Sequence, residues 1–265
     1  MGLLVVWDRA QFKGAQSEDI ARNGFDRRSL LAGAISLCGV GAGLLSGCGV
    51  DSPPMIGIWQ PPHSAKLTAD VETPEGARSG SSVIEVRWDK AGRGYEVRGE
   101  AAAVDLPGDQ TLFVLLRASW STDWAAYLHE NVELAMLPAN SSDYFQEIAR
   151  NRQIWPVARR RTTVIQDSDN YPYLVRFKDR ADPTSMELVD PDHLERTFGP
   201  GYRLKALSVQ MTDGHFTSGI IKRLPWLEAI GHQRATIIPD PPELLRDSKP
   251  IQLINSKDFS TELFK

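Results

Sequence analysis

One stretch in the first half of the chain alternates its side chains strictly between two faces and opens a run of three strand-like segments. "SVIEVRW" (Ser82–Trp88) sets Val83, Glu85 and Arg87 against Ile84, Val86 and Trp88. Successive β-carbons of a strand point to opposite faces, so this period of two predicts a strand with one face buried. "DKAGRG" is a glycine-bearing turn, and "YEVRGEAAAVDL" (Tyr95–Leu106) returns, which predicts a hairpin. "PGDQ" turns again before "TLFVLLRAS" (Thr111–Ser119), a third strand with a more continuously apolar centre. The three together predict an antiparallel meander.

The remaining segments add short helices and further strands. "DWAAYLHENVELAML" places Trp124, Leu128, Val132 and Met136 at helical spacing, and "SSDYFQEIARNRQIW" follows a capping Ser142. Strands are expected at Val157–Ile165 and Tyr171–Asp179. Asp190 before Pro191 reads as a helix N-cap, with Leu194 and Phe198 on one face and Gly199 ending the helix. Tyr202–Asp213 alternates as a strand. Thr217–Gly231 puts Ile220, Leu224, Leu227 and Ile230 on one stripe, and Pro225 either kinks that helix or begins a second one. "IQLIN" (Ile251–Asn255) is a candidate last strand. The expected class is α+β, a largely antiparallel sheet with a few short helices. Before it, residues 49–80 are rich in Pro, Ser, Gly and Thr, the composition of a tether. "MIGIWQ" interrupts that stretch as an apolar patch expected to dock on the body. The expected organisation is therefore 1–47 signal, 48–80 anchor and tether, and 81–265 one domain.

The only two cysteines, Cys38 and Cys48, precede this body. Their absence from the rest excludes disulfides, thiolate metal sites and cysteine nucleophiles there. The net charge of −4 lacks the basic footprint of a nucleic-acid binder, so no nucleic-acid partner is expected. Residues 29–47 carry no charge, and five glycines make the run a poor packing helix. A positive start, a weakly apolar run and small residues at its end form a secretory signal. Phe25-Asp26-Arg27-Arg28-Ser29-Leu30-Leu31 resembles a twin-arginine export signal, with Arg27 and Arg28 as the pair; Asp26 and Ala32 depart from the usual pattern. Leu45-Ser46-Gly47-Cys48 resembles a bacterial lipobox. That resemblance implies acylation of the Cys48 thiol, cleavage before it, and a membrane anchor in a cell envelope, facing the periplasm. The alternative is an uncleaved membrane helix. Residues 1–24 are either a long n-region or the product of an upstream start codon. "VDPDHLERTFGPGYRLKALSVQMTDGHFTSGIIKRLPWLEAIG" (Val189–Gly231) and "YEVRGEAAAVDL" resemble blocks of exported proteobacterial proteins of unknown function, which implies no activity.

Motifs for nucleotide loops, serine hydrolases, zinc proteases and dinucleotide binding are missing, so no cofactor is expected. "DPDHLE" offers Asp192 and His193 as oxygen and nitrogen metal ligands; alternatively Asp190 caps, Asp192 complements the helix dipole and His193 is exposed in the first turn. "MTDGHF" pairs Asp213 with His215, as a general base and its orienting carboxylate or as an ordinary turn. Arg159–Arg161 reads as a phosphate or headgroup grip, or as a charged edge that blocks strand pairing. Trp226 is an interface anchor or a core residue. His63, His129 and His232 are isolated in sequence. The leading expectation is a lipid-anchored, non-enzymatic binding or assembly module with an envelope protein partner. The alternatives are an envelope hydrolase or metal-dependent enzyme built on Asp190, Asp192, His193, Asp213 and His215, or an immunity-type inhibitor.

Overall fold

The computed structural model describes residues 62–264 apart from 89–94, 120, 137–143, 158, 160, 163–167, 170, 232–235 and 239–249. The fold is mostly antiparallel β, in two main sheets with a few short helices. The first strand, β1, is His63–Thr73, and it turns directly into β2, Gly76–Trp88. This corrects the expected tether over its second half, which is strand from His63 onward. Ala65, Leu67, Ala69 and Val71 are buried and alternate with Ser64, Lys66, Thr68 and Asp70. The pattern is period two, but small alanines among Ser and Thr carry too little hydrophobicity to stand out from a loop composition.

The meander forms with one correction. Tyr95–Leu106 is two strands, β3 (Tyr95–Arg98) and β4 (Ala102–Leu106), which belong to different sheets. β3 pairs with β2 as the expected hairpin, Val86 opposite Val97. The chain then changes sheets through Gly99, whose φ of +143° other residues rarely adopt. β4 pairs with β5 (Gln110–Ala118) across the "PGDQ" turn.

The next strands are β6 (Ile154–Pro156), β7 (Arg161–Thr162), β8 (Ser168–Asp169), β9 (Pro172–Phe177), β10 (Met186–Val189) and β11 (Arg203–Thr212). The larger sheet has the order β3-β2-β1-β11-β6, and the smaller β10-β9-β5-β4; β7 and β8 make a two-stranded ladder. β1 runs between β2 and β11, with Leu67 opposite both Ser82 and Val209. Helices α1 (His129–Met136), α2 (Tyr144–Arg150), α3 (Glu195–Phe198) and α4 (Trp226–Gly231) complete the regular elements.

β5 decides how the layers stack. Leu112, Val114 and Leu116 join β1, β2, β4 and β11 in one apolar core between the two sheets. Phe113 and Leu115, from the opposite face, join Val175 and Phe177 of β9 in a second core. That core is closed by Ile220, Leu224, Leu227, Ile254 and Phe259 from the last third of the chain. The smaller sheet is thus covered on both faces, which is why β5 is continuously apolar from Leu112 to Leu116. Phe113, Phe177, Trp226 and Phe259 meet edge-on or tilted at centroid distances of 5.3–6.2 Å.

Smaller expectations also shift. Asp190 does not cap a helix: its Oδ1 accepts from the Asp192 N–H at 2.9 Å, making a turn, and α3 starts after Leu194. An aspartate side chain that satisfies the backbone two residues on holds that backbone out of the helix. Pro225 separates a 3-10 turn at Ile220–Lys222 from α4, so the expected stripe is carried by two short elements. Pro250–Leu253 is a 3-10 turn in place of a last strand, and the described part of Val157–Ile165 contains only the two residues of β7. The "MIGIWQ" patch lies outside the described residues.

Candidate functional site

The five acid–base candidates do not converge. Asp213 receives Arg152 at 2.6 Å and is 89% exposed, while Asp192 receives Arg159 at 2.6 Å. Arg152 precedes β6, its carbonyl accepting from the Gln210 side chain, while Arg159 follows β6, beyond Val157, whose N–H donates to the Leu207 carbonyl. His193 pairs with Glu195 at 3.0 Å, Asp190 with Arg196 at 3.6 Å, and His215 is exposed. Arg159 also lies over the Tyr171 ring, so it is committed on two sides. No group of three or more His, Cys, Asp or Glu is placed to hold a metal ion among the described residues. Arg27, Arg28, Leu45, Ser46, Gly47 and Cys48 lie outside the described residues. No helix among those described is long and apolar enough to cross a membrane.

A different place in the fold gathers polar groups. Where the chain leaves β3 for the smaller sheet, a cleft of about 220 Å³ opens between Ser81 of β2, Ala101 and Ala103, and residues 217–223. Three strips of sequence meet there. Thr217 is tied to β2 by two bonds: its Oγ1 accepts from the Val83 N–H at 2.8 Å, and its own N–H donates to the Val83 carbonyl at 2.9 Å. The 256–261 segment runs beside the crossover, with the Ala101 N–H donating to the Phe259 carbonyl at 2.8 Å and the Thr261 N–H to the Gly99 carbonyl at 3.1 Å. Arg223 clamps Asp105 of β4 through both guanidinium NH groups.

Glu100 forms part of the lining and is 4% exposed. Its Oε2 accepts from the Ile220 N–H at 2.8 Å and its Oε1 from the Ser260 hydroxyl at 3.3 Å; the Gly219 amide also favours the charged form. Burial nevertheless pushes the Glu100 carboxyl above the usual carboxylate range, and the nearby Glu262 charge acts in the same direction. No cation pairs with Glu100 among the described residues. A buried carboxylate held by neutral donors without a countercharge is uncommon, since buried charges are normally paired. Lys222 is exposed at the rim and has no carboxylate partner among the described residues, and the Ser81 and Ser218 side chains are exposed beside it.

Sequence reasoning missed Glu100 because strand alternation gives it no distinction. Its one signal is position, a lone acid between a glycine and three alanines, where no polar neighbour offers to keep it solvated. The structure also joins two histidines that are distant in sequence. His63, first residue of β1, and His129, first of α1, meet edge-on at 4.9 Å. His129 is 3% exposed, and its Nδ1 has no well-formed hydrogen bond among the described residues. Burial, then the neighbouring His63, lower its pKa to about 4.

No protein-family model matches the chain, and neither does any curated protein or solved structure.

Proposed function

We propose that the chain is an exported, lipid-anchored module of a bacterial cell envelope that works by binding rather than by catalysis, and that the Glu100 cleft is its ligand contact. The observation that carries the anchor is the placing of Leu45-Ser46-Gly47-Cys48 ahead of β1, which starts at His63. Fifteen extended residue steps reach about 50 Å at most, so an acylated Cys48 keeps the domain close to a membrane surface. Arg27 and Arg28 before the uncharged run support the export route.

The non-catalytic reading is supported by how the acid–base side chains are used. Asp190, Asp192 and Asp213 are each engaged in an exposed ion pair, His193 shares a hydrogen bond with Glu195, and His215 is exposed. Among the described residues the cleft lining has one carboxyl group and no histidine, cysteine or tyrosine, and the Glu100 oxygens are occupied by the Ile220 N–H and the Ser260 hydroxyl rather than by a serine or threonine of the lining.

The test is the mass of the mature N-terminal peptide in a bacterial host. The expected product begins at Cys48 and carries diacylglycerol; Cys48→Ser loses the lipid and leaves the membrane fraction. A Cys48→Ser chain that stays membrane-bound at its full precursor mass would overturn the anchor.

A further inference from the structure

We infer that the Glu100 cleft takes a small zwitterion of amino-acid or dipeptide size, its ammonium directed to Glu100 and its carboxylate to Lys222 at the rim. This rests on the cleft being the ligand contact of a binding module. The size follows from the volume: about 220 Å³ lies below the roughly 300–1,000 Å³ of sites for drug-sized ligands. The polarity follows from the unbalanced charges. Glu100 is buried with hydrogen-bond donors but no cation, and its two oxygens offer about four acceptor positions, of which the Gly219, Ile220 and Ser260 groups use three. An ammonium reaching the remaining position supplies the missing countercharge in a site shielded from water, where such a bond is strongest.

The rim supplies the opposite sign. Arg223 is neutralised by both oxygens of Asp105, which leaves Lys222 as the cation of the lining without a carboxylate partner among the described residues. Ser81 and Ser218 add hydroxyl donors on the same rim. A simple amine lacks a group for Lys222, and a simple anion meets the Glu100 charge. A ligand with both charges satisfies both ends, which is how such a cleft discriminates.

The experiment is titration calorimetry on the full chain in detergent micelles near neutral pH. The probes are L-alanyl-L-alanine, its N-acetyl derivative and its carboxamide. The dipeptide is expected to bind, and the N-acetyl form to bind at least about tenfold more weakly, because it cannot present a charged donor to Glu100. Glu100→Gln keeps an acceptor for the Ile220 N–H and is expected to lose the dipeptide by a similar factor. Lys222→Ala, an exposed change, is expected to erase the difference between the dipeptide and its carboxamide. Should Glu100→Gln fail to fold, the probe series and Lys222→Ala decide alone. The proposal is overturned if the N-acetyl form binds as tightly as the parent, or if no probe gives heat at millimolar concentration. Acylation of Cys48 is read separately by mass, so a failed ligand with an intact anchor removes this ligand class and leaves the anchored module standing.

Discussion

Two residues bear consequences that their local sequence hides. Gly80 lies in β2 where that strand crosses β4, and a β-carbon there would overlap the Ala103 carbonyl oxygen and its carbon. The obstacle is backbone, which cannot rotate away. Gly→Ala in a strand interior ordinarily gains a few tenths to one kcal/mol; here the expected change is a loss of roughly 2–4 kcal/mol. Thermal unfolding of Gly80→Ala checks this, with exposed Ser79→Ala expected to stay within about 0.5 kcal/mol of wild type as the control. His129 is the second. Its folded pKa of about 4 lies below the unfolded value near 6.5, so the fold holds a neutral imidazole. The contribution is fully present above pH 6.5 and is lost as pH falls through 4, on the order of 3 kcal/mol in all. His129→Phe, in a pocket already bordered by Phe145, is expected to remove that acid-side loss in denaturant melts across the window. In the sequence His129 is one polar residue on a helix pattern; its burial comes from His63 and Phe145, which only folding brings to it.

At the level of elements, the C-terminal segment does work that its sequence does not announce. Residues 254–261 bury Ile254, Ser256, Asp258, Phe259, Ser260 and Thr261, close the second face of the smaller sheet and hold the Gly99 crossover. Deleting residues 254–265 exposes Phe113 and Phe177 together and removes the backbone partner of Ala101. The expected outcome is loss of cooperative unfolding, read by calorimetry, beside a full-length control. The segment is fastened by Asp258, which accepts from the Asn255 N–H at 2.9 Å and lies 3.7 Å from Arg117. Burial outweighs that long pairing and pushes the Asp258 carboxyl up to about 6. A raised carboxyl pKa means that the fold favours the protonated form. The stability it contributes is present below about pH 4 and is lost as pH rises through 6, on the order of 3 kcal/mol. Asp258→Asn is expected to flatten that loss, whatever its offset in absolute stability. The larger helices and the β2–β3 hairpin were readable because their patterns are local. β4 was read correctly as strand but joined to β3, because a change of sheet leaves only one glycine as its trace.

For the whole molecule the two titrations oppose each other. Between pH 4 and 6.5 acidification costs stability through His129 and restores it through Asp258, so wild type is expected to show a shallower pH dependence than either variant. His129→Phe leaves stability falling as pH rises, and Asp258→Asn leaves it falling as pH drops. Parallel curves for all three proteins would show that neither group titrates as described. Sequence alone determined the class, because period-two strands and short capped or kinked helices follow from one chain's own covalent geometry. The proposed anchor also rests on the sequence alone, because the resemblance of Leu45-Ser46-Gly47-Cys48 to a lipobox is a property of a linear string. The tertiary structure alone decided which strands share a sheet, that residues 63–80 form strands rather than a tether, and where polar groups meet. The carboxylates that sit close together in sequence fan out to separate exposed arginines, Asp190 to Arg196, Asp192 to Arg159 and Asp213 to Arg152. The cleft is assembled from Ser81, Glu100 and Thr217–Arg223, which no spacing rule connects. Burial depends on what packs from elsewhere in the chain, so a lone glutamate beside three alanines is anonymous until Ile220 and Ser260 close over it.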